Sequence, residues 1–585
     1  MKRISNIFLI LSLLIAVSCS EDRLEPEALS FYTSDNLYTN EEGLESILTT
    51  LRSDLSKECV GNRHYFCCEY GASDLALPGV QVDFYKLTPN TDRYFKFLSM
   101  FTDVYEIIKD ANTIISRIDK IEWSSEDKKN EVLAKAYWYR SYWYYRLVNN
   151  YGDIPWIGKE IQEAKLDFCT TSRWTILDKL QSDMEYAVKY LPETADAGDI
   201  NKYAGYHLLS KIYLANCNFD NAIEAANTVI NGPYSLVNKR FGSSSDDLSH
   251  NYIWDLHRVD NHVNSANTEN ILSIVDRYEA SDDARSIGLY SMRLYNSPWW
   301  GKMVKDSNGE NGMLAVGALY DTLGRGNRDV RTDVFYQYGL WEGNGYTWEN
   351  TPDLRRSDSN WYDLKDLMYN NPESADYGKP INPELFTDKF SCPYAMPYYI
   401  TYAPQQNPDA LPLGGNGDWY IFRLAETYLL RAEAYYYKGD YAAAAADINK
   451  VRARANAPLV SESEVTLDYI FDERARELFA ESPRHCELAR ASYIMAKENL
   501  GGYSLENFSE KNYFYDKVMK DNLFYTETVV VKNNTSSIAP FHVLWPIPDA
   551  VITANTMGVI NQNIGYVGAE NNVVPKETIS DSDDE

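Results

Sequence analysis

The sequence predicts a mainly α-helical protein of tetratricopeptide-like helical pairs, with a loop-rich insertion between them. Three observations predict it. Apolar residues recur at helical spacing through residues 41–235. A helix-turn-helix pattern returns 222 residues later. Between the two copies, residues 236–418 lose their long stripes and become rich in Gly, Asn, Asp and Pro. Composition agrees: 44% hydrophobic and 24% charged residues offer enough apolar surface to offset the entropy of ordering. A formal net charge of −29 repels nucleic-acid phosphates over most of the surface, so no nucleic-acid partner is expected. Tyrosine is the outlier, with 47 Tyr beside 13 Trp. Such rings suit core packing, and equally the recognition of sugars or peptides.

Taken in order, Lys2 and Arg3 precede an apolar run from Ile7 to Val17, which is too short to span a bilayer. It ends in Ala16-Val17-Ser18-Cys19, which resembles a bacterial lipobox, with Ala16 where an aliphatic residue is usual. Residues 1–18 are therefore expected to be a lipoprotein signal peptide, and Cys19 the lipidated first residue of the mature chain. Residues 19–40 read as an extended leader. The other seven cysteines are scattered without a C-x-x-C pair, and the histidines show no metal-ligand spacing. Buried thiols are expected, with no metal or cofactor.

The N-terminal helical part spans 41–235. Val132, Ala136, Tyr139, Trp143 and Leu147 share one helix face. So do Leu177, Leu180, Met184, Ala187 and Leu191, and Pro192 stops that helix. Ala204, Leu208, Ile212 and Ala215 form a stripe, a turn follows at Asn216 to Asp220, and Phe219, Ala222, Ala226 and Val229 form its partner. The later copy, within 419–455, runs Phe422, Ala425, Leu429, Ala432 and Tyr436, then Gly439-Asp440, then Tyr441, Ala444, Ile448 and Val451. One such pair cannot bury its own apolar face, so the pairs must stack. The insertion, 236–418, holds Trp254, Trp299, Trp300, Trp341, Trp348 and Trp361. Residues 456–580 mix helix with irregular chain, and 581–585 are expected to be a disordered acidic tail.

A family resemblance rests on several segments in order. Ala136-Tyr137-Trp138-Tyr139-Arg140 through Gly152-Asp153-Ile154-Pro155 resembles a signature of the SusD/RagB family. Val104 to Asn112, Lys202 to Ile230 and Phe422 to Arg452 resemble its helices, and Trp545-Pro546-Ile547-Pro548 with Asn561 to Tyr566 resembles its C-terminal close. One departure is Glu481-Ser482-Pro483, where the family has Gly in place of Ser482; the same turn with altered packing is expected. The resemblance implies a SusD-like α-α superhelix on the outer membrane of Bacteroidetes, lipid-anchored and facing the exterior. Ser20-Glu21-Asp22 resembles the surface-export signal of such lipoproteins. It further implies an oligosaccharide or peptide ligand, a SusC-like TonB-dependent transporter as partner, and no bond-breaking activity.

The insertion aromatics are the candidate ligand platforms, because sugar rings present apolar C–H faces to flat side chains. Trp299-Trp300 sits on a turn between Pro298 and Gly301, where both rings cannot readily be buried on one face. Trp341, Tyr346 and Trp348 flank the polar loop Glu342 to Gly345, and Trp361-Tyr362 is a third cluster. Asp74, Phe84 and Tyr85 lie where the resemblance places N-terminal ligand contacts. Arg140 and Arg146 read as structural, stacking on aromatics. Asp306 to Glu310 reads as a solvated turn rather than a calcium loop. Two other readings stand beside the nutrient binder: an α-helical glycoside hydrolase using paired carboxylates, and a repeat scaffold that binds only protein.

Overall fold

The computed structural model describes residues 37–580, except 79–86, 92–95, 302–303, 387–394, 527–529, 532–533 and 536. The expected signal peptide, Cys19, Phe84, Tyr85 and the acidic tail lie outside the described residues.

The chain is mainly helical. Helices α1 (Glu41–Asp54), α2 (Ser99–Arg117), α3 (Glu126–Tyr151), α4 (Arg173–Tyr190), α5 (Lys202–Ala215) and α6 (Phe219–Ile230) each pack on the next. Beyond the insertion and its short helices come α7 (Leu424–Tyr437) and α8 (Tyr441–Arg454), packed on each other, and α7 also packs on α6. The two pairs, distant in sequence, are therefore stacked in space. Side-chain caps set several starts: Ser125, Asn201 and Asp440 accept the N–H of Lys128, Ala204 and Ala443. Gly152 (φ 71°) ends α3 and Gly439 (φ 78°) follows α7, each in a conformation that favours glycine.

The stripes of α4 to α8 face inward: Leu180 and Met184, Leu208 and Ile212, Ala222 and Val229, Leu429 and Ala432, Ile448 and Val451 are all buried. Two details differ from the sequence reading. Helix α3 is buried nearly all round from Val132 onward, not on one face, because α1, α2, α4 and α10 (Arg484–Lys497) surround it. Phe422 precedes α7, on a strand. Two short antiparallel pairs tie the insertion to the helices: β1 (Ala76–Pro78) with β3 (Val330–Thr332), and β2 (Asn270–Ile274) with β4 (Trp419–Arg423). From β4, Phe422 stacks on His207 of α5 at 4.1 Å.

Charged groups fill the centre. Arg146 binds Glu58 and Glu69, each at 2.7 Å, and Arg140 binds Asp183 at 2.5 Å while lying 5.0 Å from the Trp156 ring. Helix α9 (Leu467–Glu477) carries the densest cluster. Glu473 receives Arg355 (2.8 Å), Arg452 (2.6 Å) and Arg476 (2.8 Å). Glu477 receives Arg355 (2.9 Å), Arg423 (2.6 Å) and Arg454. Arg423 also holds Glu269 (3.0 Å) and Glu481 (2.7 Å). At the departure from the family pattern, the Ser482 hydroxyl accepts from Arg474 (3.0 Å) and donates to Glu426 (3.2 Å), so the residue joins a second buried cluster that Lys211 completes.

The C-terminal segment clamps the end of α3. Trp545 donates its backbone N–H to the Asn150 carbonyl (2.8 Å), and the Asn563 side-chain amide donates to the carbonyls of Tyr151 (2.9 Å) and Trp545 (2.7 Å).

Replacing Glu473 by Gln leaves the buried Arg355 and Arg452 and the half-buried Arg476 short of a counter-charge. Urea unfolding at pH 7 is expected to show a loss of about 3–5 kcal/mol; a loss below about 1 kcal/mol contradicts the role of the cluster. Burial alone would raise the Glu477 carboxyl, but Arg454, Arg423 and Arg355 hold it at about 2. Its contribution is thus full above the unfolded-state value of about 4.3 and is lost as pH falls from there through about 2. Asp333 has the opposite sign. It caps the short helix Val334–Gln337, and burial raises its carboxyl to about 7. The folded state therefore keeps a proton there that the unfolded chain has released, and stability falls as pH rises from about 4 to 7. Asp333→Asn is expected to gain about 3 kcal/mol over the parent between pH 5 and pH 8 in denaturant titrations; a pH-independent difference contradicts this.

Candidate functional site

A cleft of about 600 Å³ opens in the insertion, within the range of small-molecule sites. Its rings are Trp254, Trp361, Tyr362, Tyr398 and Tyr402, and its polar lining is Ser249, His250, Thr322, Ser359, Asp358 and Asp366.

Each wall is fixed from behind. Trp254 rides on the short helix Tyr252–Leu256, started by the Asn251 cap. The Tyr252 hydroxyl donates to the Arg454 carbonyl (2.6 Å), and the Tyr420 hydroxyl to that of Leu256 (2.6 Å). His250 stacks on Trp254 at 3.9 Å and 6°, and the Arg258 guanidinium lies 3.7 Å from the same ring centre. Two such groups need opposite faces, so the indole offers the cleft only its edge. Arg258 also donates to the carbonyls of Tyr399 and Tyr402, and burial lowers it to about 10.

The second wall is the short helix Tyr398–Thr401 with Tyr402 at its end. The rings of Tyr398 and Tyr402 stack at 4.9 Å, and Tyr362 meets Tyr398 edge-on at 5.1 Å. Tyr362 is held by paired backbone bonds with Met396, 3.1 and 2.9 Å. Trp361 donates its indole N–H to the Arg355 carbonyl (2.7 Å), beneath the Arg356 guanidinium at 4.3 Å. Arg355 is the residue that binds Glu473 and Glu477, so the buried charge cluster positions this wall directly.

The electrostatics are one-sided. Burial lowers the His250 imidazole, against the pull of Asp247 and the Ser359 carbonyl, and leaves it uncharged at neutral pH. Asp358 pairs with Lys365 at 3.4 Å. Asp366 accepts the Asp363 N–H at 3.0 Å, and burial raises its carboxyl.

Of the residues singled out from sequence, the half-buried Tyr362 lines this cleft, and Trp361, 2% exposed, lies behind it in the wall. Trp300 is half-buried beside it: its N–H meets the Gly326 carbonyl (2.9 Å), with Arg325 at 4.9 Å and Tyr320 at 6.3 Å. Tyr320 belongs to the short helix Ala318–Leu323, whose Thr322 reaches the cleft. Trp348 is half-buried between Arg356 (4.8 Å) and Lys365 (5.5 Å), behind the cleft wall. Tyr346 is exposed on the turn it forms with Gly343.

Three other expected ligand contacts lie outside this cleft and are buried. Trp299 is 3% exposed, with its indole N–H on the Met396 sulfur at 2.8 Å. Trp341 is buried, with its N–H on the Tyr336 carbonyl at 2.9 Å. Asp74 is fully buried and clasped by Arg484 at 2.5 and 2.8 Å, with Lys517 at 3.8 Å. Burial would push the Asp74 carboxyl up, but those cations hold it below its usual range.

Sequence reasoning passed over Trp254, Tyr398 and Tyr402 as site residues. The available signal was the i, i+4 tyrosine spacing at 398 and 402, beside an insertion already rich in Trp. In the acidic turn, the Asp306 carboxylate is filled by the N–H groups of Asn308, Glu310 and Ala375 and the Ser374 hydroxyl. Among the described residues no cluster of His, Cys, Asp and Glu has metal-site geometry, and no helix is long and apolar enough to cross a membrane.

A helical body carrying a ring-lined cleft in a loop-rich insertion fits what the comparisons with known proteins find. A model of the SusD family matches residues 325–566, and one described as starch-binding associating with outer membrane matches 44–214. The chain belongs to the SusD/RagB family. It is similar to SusD-like protein P25 of Formosa agariphila, 23% identical over 532 residues that cover 84% of this chain and 91% of that one. SusD-like protein P2 of the same organism is 28% identical over 40% of this chain, a match spanning 46% of that protein's length. Among solved structures, a laminarin binding SusD-like protein superposes with a TM-score of 0.62 at 19% identity, over 90% of this chain and 100% of that one. Surface glycan-binding protein A from Bacteroides thetaiotaomicron, in complex with laminarihexaose, gives 0.61 at 15%, over the same shares. At these identities the likeness is one of fold.

Proposed function

We propose that the chain is a cell-surface, lipid-anchored nutrient-binding protein. Its aromatic cleft holds an oligosaccharide for a SusC-like TonB-dependent outer-membrane transporter. The observation that carries this reading is the pair of half-buried rings Tyr362 and Tyr402, backed by the buried Tyr398, Trp254 and Trp361, among hydroxyl and carboxylate groups. Apolar sugar faces lie against phenol rings, at about 25 cal/mol per Å² buried, while Ser249, Ser359, Thr322 and Asp366 are placed for hydroxyls. Contacts of this size give modest affinity, which suits a carrier that must release its cargo. Two structural neighbours named for laminarin and laminarihexaose support a glycan ligand. The anchor is Cys19, acylated after cleavage of residues 1–18. The protein itself breaks no bond in this reading.

The test is isothermal titration of residues 20–585, which retain every described residue, against a panel of oligosaccharides and peptides. Tyr362→Ala and Tyr402→Ala are each expected to weaken oligosaccharide binding at least about tenfold with unchanged helicity. Trp299→Ala, in the core, is expected instead to lower stability by about 3–5 kcal/mol. Parent-like binding by both tyrosine variants overturns the site, and product formation in the same mixtures favours the hydrolase. In cells, labelled palmitate is expected to enter the parent and not Cys19→Ala; incorporation into both contradicts the anchor.

A further inference from the structure

We infer that Asp366 makes the aromatic cleft select against anionic glycans, so that its cargo is neutral or carries amino groups. The inference rests on the reading of the cleft as an oligosaccharide site.

The charges facing the cleft from each packed element can be followed one by one. Lys365 is already bound to Asp358 at 3.4 Å. Asp363 is held by Arg356 at 2.7 Å. Arg258 lies against the Trp254 ring, with its N–H groups on the carbonyls of Trp254, Tyr399 and Tyr402. His250 is spent on stacking with Trp254 and on the Ser359 carbonyl (3.2 Å). Asp366 has no cationic partner within ion-pair distance among the described residues, and the lining contains no Lys or Arg.

One Asp366 oxygen takes the Asp363 N–H (3.0 Å); the other is left for a ligand. It accepts from a sugar hydroxyl, or more strongly from an ammonium group. A sugar carboxylate or sulfate has no proton to offer it. Asp366 is exposed at the cleft, so water screens part of the repulsion, and two like charges about 6 Å apart there differ by about threefold to tenfold in affinity from a neutral pair. The surrounding surface adds to this, since the whole chain carries −29.

The test uses residues 20–585 and two matched probes: a neutral hexasaccharide that binds, chosen from laminarihexaose, maltohexaose and cellohexaose, and the same hexasaccharide oxidised at C6 to uronate. At 20 mM NaCl the uronate form is expected to bind at least about threefold more weakly, and the gap to shrink at 500 mM NaCl. Asp366→Asn is expected to narrow the ratio at least about twofold, while Asp366→Glu, which keeps the charge, preserves it. Equal or tighter binding of the uronate form overturns the inference and leaves the oligosaccharide reading standing. A ratio that Asp366→Asn does not move overturns it too. Failure of every neutral hexasaccharide to bind removes the oligosaccharide reading itself, and the inference with it.

Discussion

The fold depends on charge neutralised inside it. Glu473 and Glu477 on α9 collect arginines from the insertion (Arg355), from β4 (Arg423) and from α8 (Arg452 and Arg454). None of these groups reaches water to any extent, and taking each alone from solvent would cost several kcal/mol. They are tolerated together because every carboxylate meets more than one guanidinium, in geometry that a lysine could not reproduce. Such a cluster adds little net stability over an apolar core. It does penalise any arrangement that separates its members, and so fixes how the insertion sits on the helical pairs.

That constraint extends to the aromatic cleft. Arg355 joins the cluster through its side chain and the cleft through its carbonyl, which receives the Trp361 indole. Arg454 does the same through the Tyr252 hydroxyl, one residue from Ile253 and two from Trp254. Loops of an insertion are the mobile part of most folds; here the cleft walls are hydrogen-bonded to residues of the buried charge cluster. A platform held this way needs little ordering when a ligand arrives, which favours affinity without additional contacts.

How much of this could be read from sequence follows from the range of each interaction. The stripes of α4 to α8 are local, with a period of 3.6 residues, and the buried positions match them except at the start of α8, where Tyr441 is exposed, and at Phe219 and Tyr436, which are half-buried. Helix α3 misled because a stripe records the most apolar face, while its polar faces are buried through ion pairs such as Arg146 with Glu58 and Glu69. Phe422 misled because a strand running straight into a helix keeps the apolar spacing for one more residue. In the insertion, aromatic content was legible but exposure was not. Trp299 and Trp300 are neighbours, yet one fills the core and the other stays at the surface, since burial there is decided by Met396, Gly326 and Arg325 from distant segments. Asp74 shows the same limit: its partner Arg484 lies 410 residues away.

Hydrogen–deuterium exchange with and without a bound oligosaccharide bears most directly on the claim that the cleft is where ligand sits. The account predicts slowed exchange confined to residues 249–258, 358–366 and 396–402, with the helical pairs unchanged. Protection centred instead on the separate groove between Arg173, Tyr493 and the 561–577 segment would contradict it.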